Sequence, residues 1–223
     1  MPASCSLSIS RPVRSSQRTI HPRLAERVRR YRDARWKEPL HPGSCAAFDA
    51  VLAWRDRSRP LVLDSGCGTG ASTAELARRH PGAQLLGIDR SAHRLSRAPG
   101  NSHDLLCVRA RLEDAWRLLK DAGEQPVRHY LLYPNPWPKP GHLTRRWPAH
   151  PVFPTLLALG GVLTLRSNWQ IYLDEAAEAL RLHGRRGSPV VSFRPDAPLT
   201  PFERKYAKSG HALFDLTVCL DPD

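Results

Sequence analysis

Short apolar runs alternate along most of this chain with stretches whose apolar residues recur at helical spacing. Leu61 to Ser65, Gln84 to Asp89, Leu105 to Val108, Val127 to Tyr133 and Val162 to Arg166 are compact runs bounded by Gly, Pro or polar residues. Strands buried on both faces read this way. Between and after them, Ser72 to His80, Ser91 to Ala98, Leu112 to Ala122, Val152 to Leu159 and Trp169 to Leu182 read as helices. Such an order predicts βαβ units and a doubly wound, mostly parallel sheet. Two late strands, Val190 to Arg194 and Leu213 to Leu220, bring the expected total to seven. Upstream, Leu24, Val28, Tyr31 and Trp36 recur at roughly helical spacing over His21 to Trp36, and a short helix is expected over Ser44 to Trp54. The Pro-rich stretch after Tyr133, to about Pro148, and the segment Thr200 to Tyr206 read as loops.

The 223 residues suit one α/β domain with its own core. We expect it over 60–223, preceded by a basic helical region over 21–59 and a disordered basic tail over 1–20. A net charge of +13 points to a polyanionic partner, foremost a nucleic acid. Arg23, Arg27, Arg29, Arg30, Arg32 and Arg35 crowd the first helix against only Glu26 and Asp33. That face suits either solvent or phosphates. No run approaches the roughly 18 apolar residues of a membrane span, and the N-terminus lacks the apolar block of a secretion signal. Cys5, Cys45, Cys67, Cys107 and Cys219 are scattered without a CxxC pair. Neither a metal site nor a disulfide framework is indicated, which fits a reducing cytoplasm. The oligomeric state is not fixed by the sequence; a monomer is the expectation.

The first strand runs into Leu63-Asp64-Ser65-Gly66-Cys67-Gly68-Thr69-Gly70 and then a helix. Gly66, Gly68 and Gly70 permit positive φ and close approach to a ligand, and the helix start offers free N–H donors. Asp89 ends the second strand, where a carboxylate can accept from both hydroxyls of a ribose. Glu113 and Asp114 follow the third strand, where an adenine amino group could donate. Three acidic points at consecutive strand ends describe an adenosine-containing ligand, and the GxGxG spacing fits a dinucleotide-dependent reductase less well. These residues resemble class I methyltransferases, whose glycine motif takes the form D/E-x-G-x-G-x-G. The resemblance implies S-adenosylmethionine as cofactor.

The fourth strand ends in Tyr133-Pro134-Asn135-Pro136-Trp137-Pro138-Lys139, followed by His142, Arg145, Arg146 and Trp147. A polar side chain between prolines has little freedom. Trp137 could stack on a base, and Lys139, Arg145 and Arg146 could hold phosphates. Alone, Arg166 to Tyr172 is only a helix start. Together, LDSGCGTG, GIDRS, YPNPWPK with its trailing HLTRRW, RSNWQIY and TPFERKY resemble the bacterial tRNA (guanine-N7)-methyltransferases over about Pro60 to Leu216. That family methylates guanine 46 in the tRNA variable loop. The resemblance implies that Asp64, Asp89 and Asp114 hold the cofactor. It makes Asn135 the catalytic and cofactor-side residue. Lys139, Asn168, Thr200, Pro201, Phe202 and Glu203 would bind tRNA. Asn135 and Asn168 stand where the family usually has aspartate.

Guanine N7 bears a lone pair and no proton, so its methylation is mainly a positioning task. A carboxylate accepting from the guanine edge would also stabilise the positive charge that appears on the purine. Asn135 can accept but carries no charge, and Glu203 is the expected source of the missing negative charge. Amino-methylation of a base is an alternative, since enzymes of that kind carry an Asn-Pro-Pro-aromatic motif at this strand end. An inactive tRNA-binding relative is another.

Overall fold

The computed structural model describes residues 10–34 and 36–221. The first nine residues of the expected tail, and Arg35, lie outside them. In chain order the elements are α1 (Leu24–Tyr31), α2 (Pro42–Trp54), β1 (Leu61–Ser65), α3 (Ala71–Arg79), β2 (Gln84–Asp89) and α4 (Ala92–Leu95). They continue with β3 (Leu105–Arg109), α5 (Leu112–Asp121), β4 (Arg128–Leu132), α6 (Phe153–Leu157), β5 (Val162–Ser167) and α7 (Gln170–Leu182). The last are β6 (Val191–Phe193), α8 (Pro201–Lys208) and β7 (Leu213–Cys219). The seven strands form one sheet in the order β3-β2-β1-β4-β5-β7-β6. The first five are parallel to one another, and β7 runs antiparallel between β5 and β6. This is the doubly wound, mostly parallel arrangement that the alternation predicts.

β1 and β2 are buried at every position, as a sheet covered on both faces requires. The larger core cluster gathers Leu63, Leu86, Leu131, Leu163 and Leu165 from the strands, with Trp116 of α5 and Tyr172 of α7. A smaller one, including Val62, Leu76 and Leu85, lies under α3. α1 and α2 join the larger cluster through Leu24, Val28, Phe48 and Val51. The region before the first strand is therefore packed onto the domain.

Four expectations need correction. First, residues 10–20 are fixed to the domain and not disordered. The Ser10 N–H donates to Ser209 Oγ, Ser15 Oγ donates to the Pro138 carbonyl, and Gln17 bonds Glu175. Second, the first helix is shorter than expected. It ends at Tyr31, because Trp36 must leave the helical path to lay its ring against His150, 5.2 Å away. Third, Thr200 to Tyr206 is not a loop: α8 occupies it. Thr200 caps this helix by accepting from the Glu203 N–H at 2.9 Å, with Pro201 at the first position. The Thr-Pro-x-Glu spacing is the signal for such a start. α4 is also shorter than expected, since Pro99 lies just ahead and disfavours helix at the residue before it.

One buried polar row crosses the sheet. The Trp116 indole N–H donates to Ser65 Oγ at 3.0 Å, and Ser65 Oγ lies 2.7 Å from His129 Nε2 on β4. His129 is fully buried, and burial holds its pKa down at about 3, so the imidazole stays neutral in the fold. The unfolded chain binds this proton near pH 6.5 and the folded one does not, so stability is complete above that pH and drains away as pH falls towards 3. His150, lowered to about 4 by burial, adds to the same trend. We expect the denaturation midpoint to fall between pH 7 and pH 4.5. His129→Asn should remove about one proton from that slope, about 1.4 kcal/mol per pH unit. Urea titrations at the two pH values check this.

Candidate active site

β1 and β4 are parallel neighbours, but β1 continues towards β2 on one side and β4 towards β5 on the other. At such a switch point the loops beyond the strand ends part and leave a crevice. A cavity of about 250 Å³ sits there. Gly66, Asp89, Glu113, Asn135, Arg145 and Phe202 line it. Six of the expected site residues are thus brought together from five separate loops and elements. A second hollow, of about 330 Å³, lies at the other end of α5 and holds none of them.

The glycine loop is held from below. The Gly66 and Cys67 amides donate to the Ile88 carbonyl at 2.8 and 3.0 Å. Gly66, Gly68 and Gly70 all have positive φ. A Cβ added at Gly66 would meet no atom within 4 Å, so the bare backbone there faces open space. Asp64 is not in the cavity. Its Oδ2 accepts from Ser72 Oγ and Thr73 Oγ1 at 2.6 and 2.7 Å, fastening the loop to the start of α3. Burial raises its pKa to about 6. Asp89 does reach the cavity. Oδ2 accepts from the Gly68 amide at 3.0 Å, while Oδ1 accepts from the Ser91 amide at 2.8 Å and pairs with Arg94 Nη2 at 3.0 Å. Of the two acids at the start of α5, Glu113 lines the cavity and Asp114 does not. Asp114 is turned inward and accepts from the His41 amide at 3.3 Å.

The opposite wall is the loop after β4. Its two ends, Tyr133 and Trp137, sit at φ of 51° and 47°. For bulky side chains this left-handed region is strained, and such strain marks positions that the surroundings over-determine. Asn135 is exposed between them, its Oδ1 accepting from the Trp137 amide at 3.3 Å. Arg145 lies over the Trp137 ring, 4.6 Å from its centre, and His142 meets that ring edge-on. Lys139 is exposed outside the cavity.

Arg146 contradicts the phosphate-binding expectation. Its side chain is wholly buried and bidentate to Glu175 at 2.6 and 2.7 Å, out of reach of any polyanion. Glu203 departs likewise. It is buried and bonded to Arg166 at 3.0 Å, and burial pushes its carboxyl up from the usual range. Its charge is matched by Arg166 and not presented to the cavity. Thr200 is spent on the helix cap, Pro201 is exposed at that cap, and Asn168 bonds His211 Nδ1 at 3.2 Å. Only Phe202 of α8 reaches the cavity, where its ring stacks on Tyr206, which in turn meets Tyr133.

Sequence reasoning missed the lining residues Ser65, Arg90, Arg94, Leu112 and Trp147. Ser65 and Arg90 could have been found by extending the strand-end rule one residue along β1 and β2. Trp147 gives no local signal. It enters by packing edge-on against buried Trp116, 4.8 Å away.

Known proteins resemble this chain in sequence and in fold. The family model described as "Putative methyltransferase" matches residues 58–216. The tRNA (guanine-N(7)-)-methyltransferase of Halorhodospira halophila is 33% identical over 186 residues, covering 75% of this chain and 78% of that one. Its namesake from Alkalilimnicola ehrlichii is 34% identical over 179 residues, 72% of each chain. The chain belongs to the tRNA (guanine-N(7)-)-methyltransferase family. Two solved structures share the fold of this family member. The 16S rRNA methyltransferase KamB superimposes with a TM-score of 0.56 at 19% identity, covering 83% of this chain and 97% of its own. A 16S rRNA (adenine(1408)-N(1))-methyltransferase from Catenulisporales acidiphilia, solved with SAM, gives 0.53 at 16%, covering 79% and 92%. Among the described residues no helix could cross a membrane and no cluster of side chains could hold a metal ion. Cys45, Cys67, Cys107 and Cys219 are free thiols.

The two loop glycines separate backbone strain from steric fit. Gly66→Ala should cost about 1 kcal/mol, the left-handed term alone. Gly70→Ala adds a Cβ only 2.7 Å from Pro99 Cδ and should cost about 3 kcal/mol. Thermal melts of the two variants check the order.

Proposed function

We propose that this protein transfers a methyl group from S-adenosylmethionine to N7 of a guanine in tRNA. The observation that carries the reading is the facing pair of walls at the switch point: a bare glycine backbone with Asp89 on one side, and Asn135 on a strained, proline-braced loop on the other. The residues present fit the cofactor. Gly66 leaves open the space that a side chain would fill, Asp89 suits a ribose diol, and Glu113 suits an adenine amino group. When bound, the cofactor supplies an electrophilic methyl group.

The chain's own task is orientation. N7 needs no base, so no residue has to take a proton from it. Asn135 is placed to meet the guanine edge, and Phe202 and Trp137 offer apolar and aromatic surface for the base. The loop prolines and the buried floor limit water and motion around it. The positive charge on the purine finds no free carboxylate at Glu203, which is bound to Arg166, so Asn135 acts as a neutral acceptor.

An RNA substrate is supported by exposed Arg11, Arg14 and Arg18 on the N-terminal segment, and by Lys139 and Arg145 beside the loop. These cations suit a phosphate backbone and make binding salt-dependent. A tRNA substrate would place the protein in the cytoplasm.

Purified protein incubated with labelled S-adenosylmethionine and unmodified tRNA should yield N7-methylguanosine on nucleoside mass spectrometry. A methylated exocyclic amino group would favour the amino-methyltransferase reading instead. Asp89→Ala should weaken cofactor binding by about tenfold to a hundredfold, the loss of hydrogen bonds to a charged acceptor. Asn135→Ala should lower the rate without that loss of cofactor affinity. Calorimetry with the demethylated product, together with initial rates, separates the two.

A further inference from the structure

The loop that carries Asn135 cannot hold itself together. Pro134, Pro136, Pro138 and Pro140 remove every second amide donor from it. Its carbonyls must therefore find donors elsewhere. The carbonyls of residues 137, 138 and 139 all do. Arg146 Nε donates to Trp137 O at 3.1 Å, Ser15 Oγ donates to Pro138 O, and Arg146 Nη2 donates to Lys139 O at 3.3 Å, which also accepts from the His142 amide.

Arg146 spends all of its N–H groups in this way. Nη1 donates to both oxygens of Glu175 at 2.6 and 2.7 Å, and Nη2 donates also to Gln17 Oε1 at 3.0 Å. With Nε, that makes five bonds for the five donors of a guanidinium. The plane lies over the Trp169 ring, 4.9 Å from its centre. Glu175 in turn accepts from Gln17 Nε2 at 2.7 Å and the His21 amide at 3.1 Å. A buried ion pair is a poor means of adding stability, since packed apolar side chains of similar volume do as well. What an apolar pair could not supply is two N–H groups aimed at the loop's carbonyls, in a rigid fork.

We infer that Arg146 is a positioning residue for methyl transfer, held by Glu175 and by Gln17 of the N-terminal segment, and that it fixes the Asn135 loop against the cavity. Residues 15 and 17, far from the glycine motif in sequence, are thereby part of the support of the active site. The inference deepens the reading given under Proposed function and rests on it for its kinetic consequence.

The test uses the full-length protein with Arg146→Lys and Gln17→Ala. Lysine keeps the charge beside Glu175 but lacks the fork. Gln17 is only half-buried, so its variant tests the device even if Arg146→Lys fails to fold. In steady-state kinetics on tRNA, Arg146→Lys should lower kcat at least tenfold, about what a small misplacement of reacting groups costs. KM for tRNA and the affinity for the demethylated product should stay within about twofold of wild type. Gln17→Ala should show a weaker effect of the same kind. Hydrogen exchange should quicken at the amides of residues 133–143 and remain unchanged in β1 and β2. Unaltered kcat with unaltered exchange in that loop overturns the inference, as does exchange that quickens throughout the molecule. Wild-type protein that methylates no tRNA would count against the proposed function, and the exchange comparison would still decide the role of Arg146.

Discussion

The cavity exists because of one constraint: two parallel neighbours, β1 and β4, whose onward connections leave in opposite directions. Their side-by-side register, Val62 with Arg128 and Asp64 with Tyr130, fixes how far apart the glycine loop and the proline loop emerge. Each strand is buried among leucines, so the two loops are anchored to a core that cannot slide without exposing it. The site is thus a by-product of hydrophobic burial, refined by the few polar groups beside it.

The two walls are stiffened differently. On the glycine side, backbone bonds to Ile88 and the carboxylates of Asp64 and Asp89 secure a chain that could otherwise adopt many conformations. On the proline side the chain has few conformations and few donors of its own, and stiffness is imported from Arg146, Ser15 and the left-handed turns at Tyr133 and Trp137. Many of the charged groups near the site serve this purpose. Asp64, Asp114 and Glu203 are turned into the protein, where each meets a partner within the fold.

The sheet and its flanking helices could be read directly, because burial on both faces gives β1 and β2 short apolar runs and the helices have their own period. The motif residues Gly66, Asp89 and Asn135 line one cavity, since each stands at or just beyond a strand end. Orientation was not legible. Glu113 and Asp114 are adjacent in sequence and differ only in which way a helix's first turn points them. Arg145 and Arg146 are likewise neighbours, one over an exposed-edge tryptophan and one wholly enclosed. The direction in which each points depends on partners distant in sequence, as His41 is from Asp114 and Gln17 from Arg146. α8 was legible in principle, from Thr200, Pro201 and Glu203, but its shortness and polar surface concealed it.

The row from Trp116 through Ser65 to His129 contains no ion, because the imidazole is kept neutral. On that side the chamber has an uncharged floor, while Arg90, Arg94 and Arg145 ring its mouth. The carboxylates of Asp89 and Glu113 lie in the wall between, so the anions of the chamber stand at its side and not at its base. A cationic mouth beside acidic walls sorts groups by charge: a polyanion is held at the entrance, and a neutral or cationic group is favoured beside the carboxylates.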